Sequence, residues 1–139
     1  MAGEVMRILV ALLPLKAGAV GVHILQLPGD GAGASGTDIR LNHQIFDRVD
    51  TLIYDGLRSK TVSLRHDGTG RGVRVDFSEF PMVAFWTMPG VRAPYICIEP
   101  WQGCAAVDNE SGDFTDKPHR VILEPGESKR LRYTVSLLG

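Results

Sequence analysis

The sequence contains several short segments in which apolar and polar residues alternate. These segments constrain the fold more than any other feature. The alternation is clear over residues 61–65, 73–77 and 131–137, and the glycine-rich tetrapeptide 67–70 separates the first two. A period of two residues is that of a β-strand with one buried face. No stretch shows a sustained helical period. The pattern therefore predicts an all-β protein, an antiparallel β-sandwich formed as a single domain over residues 1–139.

The composition limits the possible classes of function. The 139 residues carry a formal net charge of -1, and acidic and basic side chains are spread along the whole chain. Without a basic stripe, neither a nucleic acid nor an anionic membrane is an expected partner. The two cysteines, Cys97 and Cys104, cannot form a disulfide framework. We expect them to be reduced thiols in a cytoplasmic protein.

The N-terminal region has the outline of a secretory signal, because an apolar run at residues 8–15 precedes small residues at 17–19. A proline inside the run and Lys16 directly after it argue against this interpretation. We therefore predict a strand over residues 5–15, and the run is too short to span a bilayer. The glycine-rich segment 28–37 is predicted to be a loop, and residues 121–123 are predicted to be a short strand.

Residues 93–103 are the most informative segment for function. The pattern predicts a buried strand with Tyr95, Cys97 and Glu99 on one face and isoleucines on the other. A carboxylate in such an apolar run must be paired or hydrogen-bonded, and carboxylates placed in this way are enriched at catalytic sites. The alternative is a glutamate that points into solvent at the end of the strand. The spacing alone does not decide between them.

Trp101 lies two residues beyond Glu99, at the predicted rim of the same face. An aromatic ring packs on the C–H side of a pyranose while polar groups bind its hydroxyls. We therefore predict Trp101 as a sugar-binding residue. For Trp86, in a more apolar run, core packing is the favoured interpretation.

A set of motifs in the order of the chain resembles the C-terminal half of the galactose mutarotase (aldose 1-epimerase) family. The motifs are Asp50-Thr51-Leu52-Ile53-Tyr54, Gly56-Leu57-Arg58-Ser59, Val73-Arg74-Val75-Asp76-Phe77 with Phe80-Pro81, Trp86, residues 93–103, Asp116-Lys117 and Leu123-Glu124-Pro125-Gly126-Glu127. The resemblance covers residues 41–139, whereas residues 1–40 do not align. It is greatest to the bacterial galactose mutarotase-related subgroup.

The resemblance implies a partial sandwich with an open sugar cleft and an isomerase that interconverts sugar anomers without a metal or cofactor. In the family, a glutamate takes the proton of the anomeric hydroxyl, the ring opens, and closure gives the other anomer. Glu99 would be this general base, because Cys97-Ile98-Glu99-Pro100 matches the family motif. Asp50 would bind a sugar hydroxyl. Its alternative is a turn residue that precedes the next strand.

The chain departs from the family in its histidines. Family members are longer, and their acid is a histidine in an N-terminal half with a His-Pro-aromatic motif that this sequence lacks. We predict His66 and His119 at the surface and His23 and His43 as satisfied core residues. Because loss of a general acid costs about two to four orders of magnitude, any activity should be weak. A non-catalytic carbohydrate-binding sandwich and a truncated structural fragment are the alternatives.

The expected ligand is a small sugar of the hexose class. Half of a sandwich would leave sheet edges and an apolar face uncovered, so we expect a homo-oligomer. A zinc site formed by Cys97, Cys104 and His119 fits no known spacing pattern, and no metal site is predicted. We also expect the thiol of Cys97 to stay protonated on its apolar strand, which argues against a nucleophilic role.

Overall fold

The computed structural model of the protein describes the backbone of residues 23–27 and 37–40, and both backbone and side chains of residues 41–66, 68–104 and 111–139. The strand predicted at residues 5–15 lies outside the described residues, as does most of the predicted glycine-rich loop.

Two antiparallel sheets make up the fold. The elements, in chain order, are β1 (His23–Leu27), β2 (Thr37–Arg40), α1 (His43–Val49), β3 (Thr51–Asp55), β4 (Thr61–His66), β5 (Gly72–Asp76), β6 (Met82–Trp86), β7 (Cys97–Trp101), a short 3-10 helix (Phe114–Asp116) and β8 (Thr134–Leu138). One sheet has the order β2-β1-β4-β5-β8 and the other the order β3-β6-β7. The prediction of an antiparallel β-sandwich is therefore confirmed.

The hydrophobic core lies between the two sheets. Strands β4 and β5 contribute alternate valines and leucines, β6 and β7 contribute Val83, Phe85 and Ile98, and the β5–β6 connection contributes Phe77 and Phe80. All of these side chains are 4% exposed or less. Because successive residues of a strand point to opposite faces, the alternate residues of β6 and β7 point away from this core: Met82, Ala84, Trp86, Cys97, Glu99 and Trp101.

Helix α1 was not predicted from the sequence, in which no stretch shows a sustained helical period. Asn42 begins the helix, and its side-chain oxygen accepts a hydrogen bond of 3.1 Å from the N–H of Ile45. Asp50 ends it with a positive φ of 57° and a ψ of -68°, and its N–H donates a hydrogen bond to the carbonyl oxygen of Phe46. Only Phe46 is buried in the helix, so its seven residues have no clear apolar period. The N-cap asparagine was the available signal.

Two predicted strand regions are also corrected. Residues 121–123, predicted as a short strand, have no regular structure, and Ile122 is 59% exposed. The strand predicted over residues 93–103 begins only at Cys97, so Tyr95 lies in the irregular segment before β7. Within the described part of the chain, no helix has the length and apolar character needed to cross a membrane.

Candidate functional site

The face of the three-stranded sheet that points away from the core, here called the outer face, carries most of the candidate site residues. Its cross-strand rows, in the order β3, β6, β7, are Thr51–Trp86–Cys97, Ile53–Ala84–Glu99 and Asp55–Met82–Trp101. Residues directly opposite in such rows have Cβ atoms about 5 Å apart, and diagonal neighbours are about 7–8 Å apart. The outer face therefore brings two tryptophans and two carboxylates to within a few side-chain lengths of each other.

Glu99 is buried at the centre of β7, with 4% of its surface exposed. Its Oε2 atom accepts a hydrogen bond of 3.0 Å from the indole N–H of Trp101. The alternative of a solvent-directed glutamate is thus excluded. This neutral donor orients the carboxylate along the outer face, and Ala84, opposite Glu99 on β6, has a side chain too small to block it.

Trp101 is 5% exposed and packs in a cluster with Met82, Ala84 and Cys104. This indole is as buried as Glu99, and its role as a platform for a sugar ring stays a prediction. What the structure assigns to Trp101 is the hydrogen bond that orients Glu99.

Trp86, for which core packing was predicted, lies on the outer face and is only partly buried. Its indole N–H donates a hydrogen bond of 3.3 Å to Oδ1 of Asp50, and its ring contacts Tyr95 with a centroid distance of 6.2 Å. The other carboxylate oxygen of Asp50 accepts a bond of 2.9 Å from the hydroxyl of Thr51. The exposed aromatic surface of the outer face is therefore at Trp86, diagonal to Glu99, and Asp50 holds it.

The three histidines with described side chains differ in their surroundings. His43 Nε2 lies 2.9 Å from the carbonyl oxygen of Ala93, so His43 is partly buried and satisfied, as predicted. His66 Nδ1 accepts a bond of 3.2 Å from the N–H of Gly68 in the β4–β5 turn. His119, predicted as a plain surface residue, instead forms an ion pair.

His119 Nε2 lies 2.7 Å from Oδ2 of Asp55 at one end of the outer face. The side chain of Gln102 donates to the carbonyl oxygen of His119, and the thiol of Cys104 donates to that of Pro118 at 3.7 Å. The segment 118–119 therefore spans from the end of β7 to the end of β3. No pattern in the sequence indicates this contact, because the paired residues are 64 positions apart.

The hydrogen bond from His119 lowers the pKa of Asp55 below 3.8, although burial acts in the opposite direction. A carboxyl group with a depressed pKa in the folded state stabilises the fold above its unfolded pKa, and this contribution is lost as the pH falls through the folded pKa. We expect His119→Asn, which tolerates the positive φ of 57° but is too short to reach Asp55, to raise the pKa of Asp55 towards 3.8. Side-chain carboxyl NMR over an acid titration measures this change.

Asp113 is the internal control for that titration. Its pKa is also lowered, but by hydrogen bonds from Thr115. The pKa of Asp113 should be the same in the His119→Asn variant as in the wild-type protein. The effect on stability should be below about 1 kcal/mol because both partners are partly exposed. An Asp55 titration that is identical in the two proteins would contradict the contact.

Cys97 and Cys104 are both buried free thiols. Burial raises the pKa of Cys97, and the adjacent charge of Glu99 raises it further. Cys97 is therefore a protonated thiol at neutral pH, which agrees with the expectation that it is not a nucleophile. Among the described residues, no three His, Cys, Asp or Glu side chains are grouped so that they could hold a metal ion.

Comparison with solved structures assigns the class of the fold, which is that of the galactose mutarotase-like proteins. A galactose mutarotase-like protein from Lactobacillus casei superposes with a TM-score of 0.68 at 23% identity, over 84% of this chain and 46% of that chain. A galactose mutarotase related enzyme from Lactobacillus acidophilus gives a TM-score of 0.58 at 30% identity, over 86% of this chain and 40% of that chain.

A particular relative is protein LacX of Lactococcus lactis subsp. lactis, in its plasmid and chromosomal forms. Each is 32% identical to this chain over 99 residues, which are 71% of this chain and 32% of LacX. No family model matches the sequence. The resemblance to galactose mutarotase-related proteins is confirmed: the chain has their fold and is similar in sequence to LacX. It spans about a third of the length of these curated relatives.

Proposed function

We propose that the outer face binds a small aldose and that Glu99 is the general base of an aldose 1-epimerase-type reaction. The observation that carries the proposal is the carboxylate of Glu99, which is 4% exposed and oriented by the N–H of Trp101 on the face that also carries the ring of Trp86. A buried carboxylate oriented by a neutral donor is suited to accept a proton from a sugar hydroxyl within hydrogen-bond distance. The similarity to galactose mutarotase-like structures supports the same chemistry.

The sugar would be bound between Trp86 and Glu99. The partly exposed indole of Trp86 offers an apolar surface for the C–H side of a pyranose ring. Asp50 is exposed beside it, and its carboxylate has acceptor positions beyond the bonds from Trp86 and Thr51. We assign to Asp50 the binding of a sugar hydroxyl and to Trp101 the positioning of Glu99.

In the reaction, Glu99 takes the proton of the anomeric hydroxyl while the bond between C1 and the ring oxygen breaks. The ring oxygen gains a proton, the C1–C2 bond rotates, and the reverse steps close the ring to the other anomer. His43 contacts the carbonyl oxygen of Ala93, and His119 contacts Asp55. We assign the protonation of the ring oxygen to water, so the expected rate is low.

The second candidate function is a carbohydrate-binding domain without catalysis. It is favoured by the same burial of Glu99 and by the contacts that hold His43 at Ala93 and His119 at Asp55. In this case Trp86 and Asp50 would bind the sugar. The carboxylate of Glu99 would accept a hydrogen bond from a sugar hydroxyl without taking its proton. For either function we propose the cytoplasm as the compartment, because both thiols are free.

Two measurements test these proposals. In an NMR titration with galactose and with glucose, we expect the indole N–H signal of Trp86 to shift with saturable dependence on sugar. Polarimetry of fresh α-galactose and α-glucose should then show mutarotation faster than the spontaneous rate in the same buffer. A shift without acceleration supports the binding domain. No shift at about 100 mM sugar, well above common dissociation constants, would contradict both.

A further inference from the structure

Two rows of apolar side chains cross the five-stranded sheet, and each row is buried at β4 and β5 but exposed to solvent at β8. In the order β4, β5, β8, the rows are Val62–Val75–Val135 and Leu64–Val73–Leu137. The first two members of each row are 2% exposed or less, whereas Val135 is 40% exposed and Leu137 is 86% exposed. Because residues of one row share a face, both β8 side chains lie on the core side of the sheet. The three-stranded sheet covers β4 and β5 and does not extend over β8.

Strand β8 also presents an open edge. In the described part of the chain β8 pairs with β5 alone, and no described strand lies along its other edge. Sheet edges are commonly protected by charged residues or proline, and Thr134–Leu138 contains neither. The net charge of -1 gives little repulsion between two copies of the chain.

We propose that β8 pairs with β8 of a second copy of this chain, antiparallel about a two-fold axis through Ser136. This register pairs all five residues of the strand, and a shift by one position leaves a residue of β8 unpaired. Ser136 then lies opposite Ser136 of the second copy, and Val135 lies opposite Leu137 of the second copy. Each exposed apolar side chain is thereby buried laterally against an apolar side chain of the other copy.

The interface formed in this way is small. A single five-residue strand pair lies below the roughly 1,200 Å² of total buried surface at the low end of specific, stable interfaces. The dimer is therefore weak and depends on protein concentration. The proposal is independent of the sugar chemistry, since β8 belongs to the other sheet from the outer face.

Light scattering over a concentration series tests the interface. The mass of the wild-type protein should rise with concentration from 15.2 kDa towards twice that value. Leu137→Lys should keep the monomer mass throughout, because it places a charge between the two strands. Ile122→Lys, at another apolar position that is 59% exposed, is the matched control and should behave as the wild type. A wild-type protein that stays monomeric, or a Leu137→Lys variant that still dimerises, overturns the proposal.

Disulfide trapping tests the register. In the proposed dimer the two Ser136 residues face each other, so Ser136→Cys should form a covalent dimer under mild oxidation. The two Thr134 residues would be about 14 Å apart along the ladder, so Thr134→Cys should not. Cys97 and Cys104 are buried. The wild-type protein, oxidised in the same way, is the control for any covalent dimer that these two cysteines form. Equal trapping in the two variants, or trapping only in Thr134→Cys, overturns the proposed pairing.

Discussion

Replacing Glu99 with glutamine is expected to lower the rate of protein-catalysed mutarotation by about 100- to 10,000-fold, the range that a single general base commonly contributes. Glutamine has nearly the shape of glutamate, and its carbonyl oxygen can still accept the hydrogen bond from Trp101. The variant cannot take a proton from the anomeric hydroxyl. Sugar binding, measured by the shift of the Trp86 indole signal, should therefore be retained while polarimetry shows only the spontaneous rate.

Glu124→Gln is the matched control for this substitution. Glu124 is exposed and lies in the 124–127 turn, outside the outer face. It should have wild-type activity. Thermal unfolding of Glu99→Gln should show no loss of stability, because the buried side chain no longer carries a charge that must be desolvated. Wild-type turnover in the Glu99→Gln variant would remove this residue from the chemistry and leave sugar binding as the proposal.

The strands that could be predicted are those in which the local pattern and the tertiary environment agree. Residues 61–65 and 73–77 alternate because one face of β4 and β5 is buried in the core, and both strands were found. Residues 121–123 are equally apolar but form no strand, and Ile122 is exposed. A local pattern does not indicate whether a sheet edge is available for a segment to pair with, which explains this error.

The candidate site was predictable to a similar degree. The hydrogen bond to the buried carboxylate of Glu99 could be anticipated, because a carboxylate in an apolar strand must be paired or hydrogen-bonded. The position of Trp86 on the outer face and the hydrogen bond from Trp101 to Glu99 were not predicted. Both depend on the β6–β7 register and on the packing around Trp101. The pair of Asp55 and His119 depends on a contact between segments far apart in sequence. Such features follow from tertiary structure and leave no local signal.

Gly72 is the position at which a minimal substitution should have the largest effect on stability. Gly72 begins β5 opposite Arg65 of β4, and a Cβ atom added there would lie 1.9 Å from the backbone oxygen of Leu64. Both segments belong to the ladder at the centre of the five-stranded sheet, so neither backbone can move without loss of hydrogen bonds or core contacts. We expect Gly72→Ala to lower the free energy of unfolding by about 3 kcal/mol, at the upper end of typical overpacking costs.

Two glycines of the same hairpin separate this steric effect from a general intolerance of alanine. Gly70 has φ of 69° with no atom within 4 Å of an added Cβ, so Gly70→Ala should cost about 1 kcal/mol through backbone strain alone. At Gly68 an added Cβ would make an ordinary contact of 3.4 Å with the ring of His66, and Gly68→Ala should be nearly neutral. Urea unfolding followed by circular dichroism gives the three values when the m-values agree. If Gly72→Ala cost no more than Gly70→Ala, the close approach of β4 and β5 at this point would be wrong.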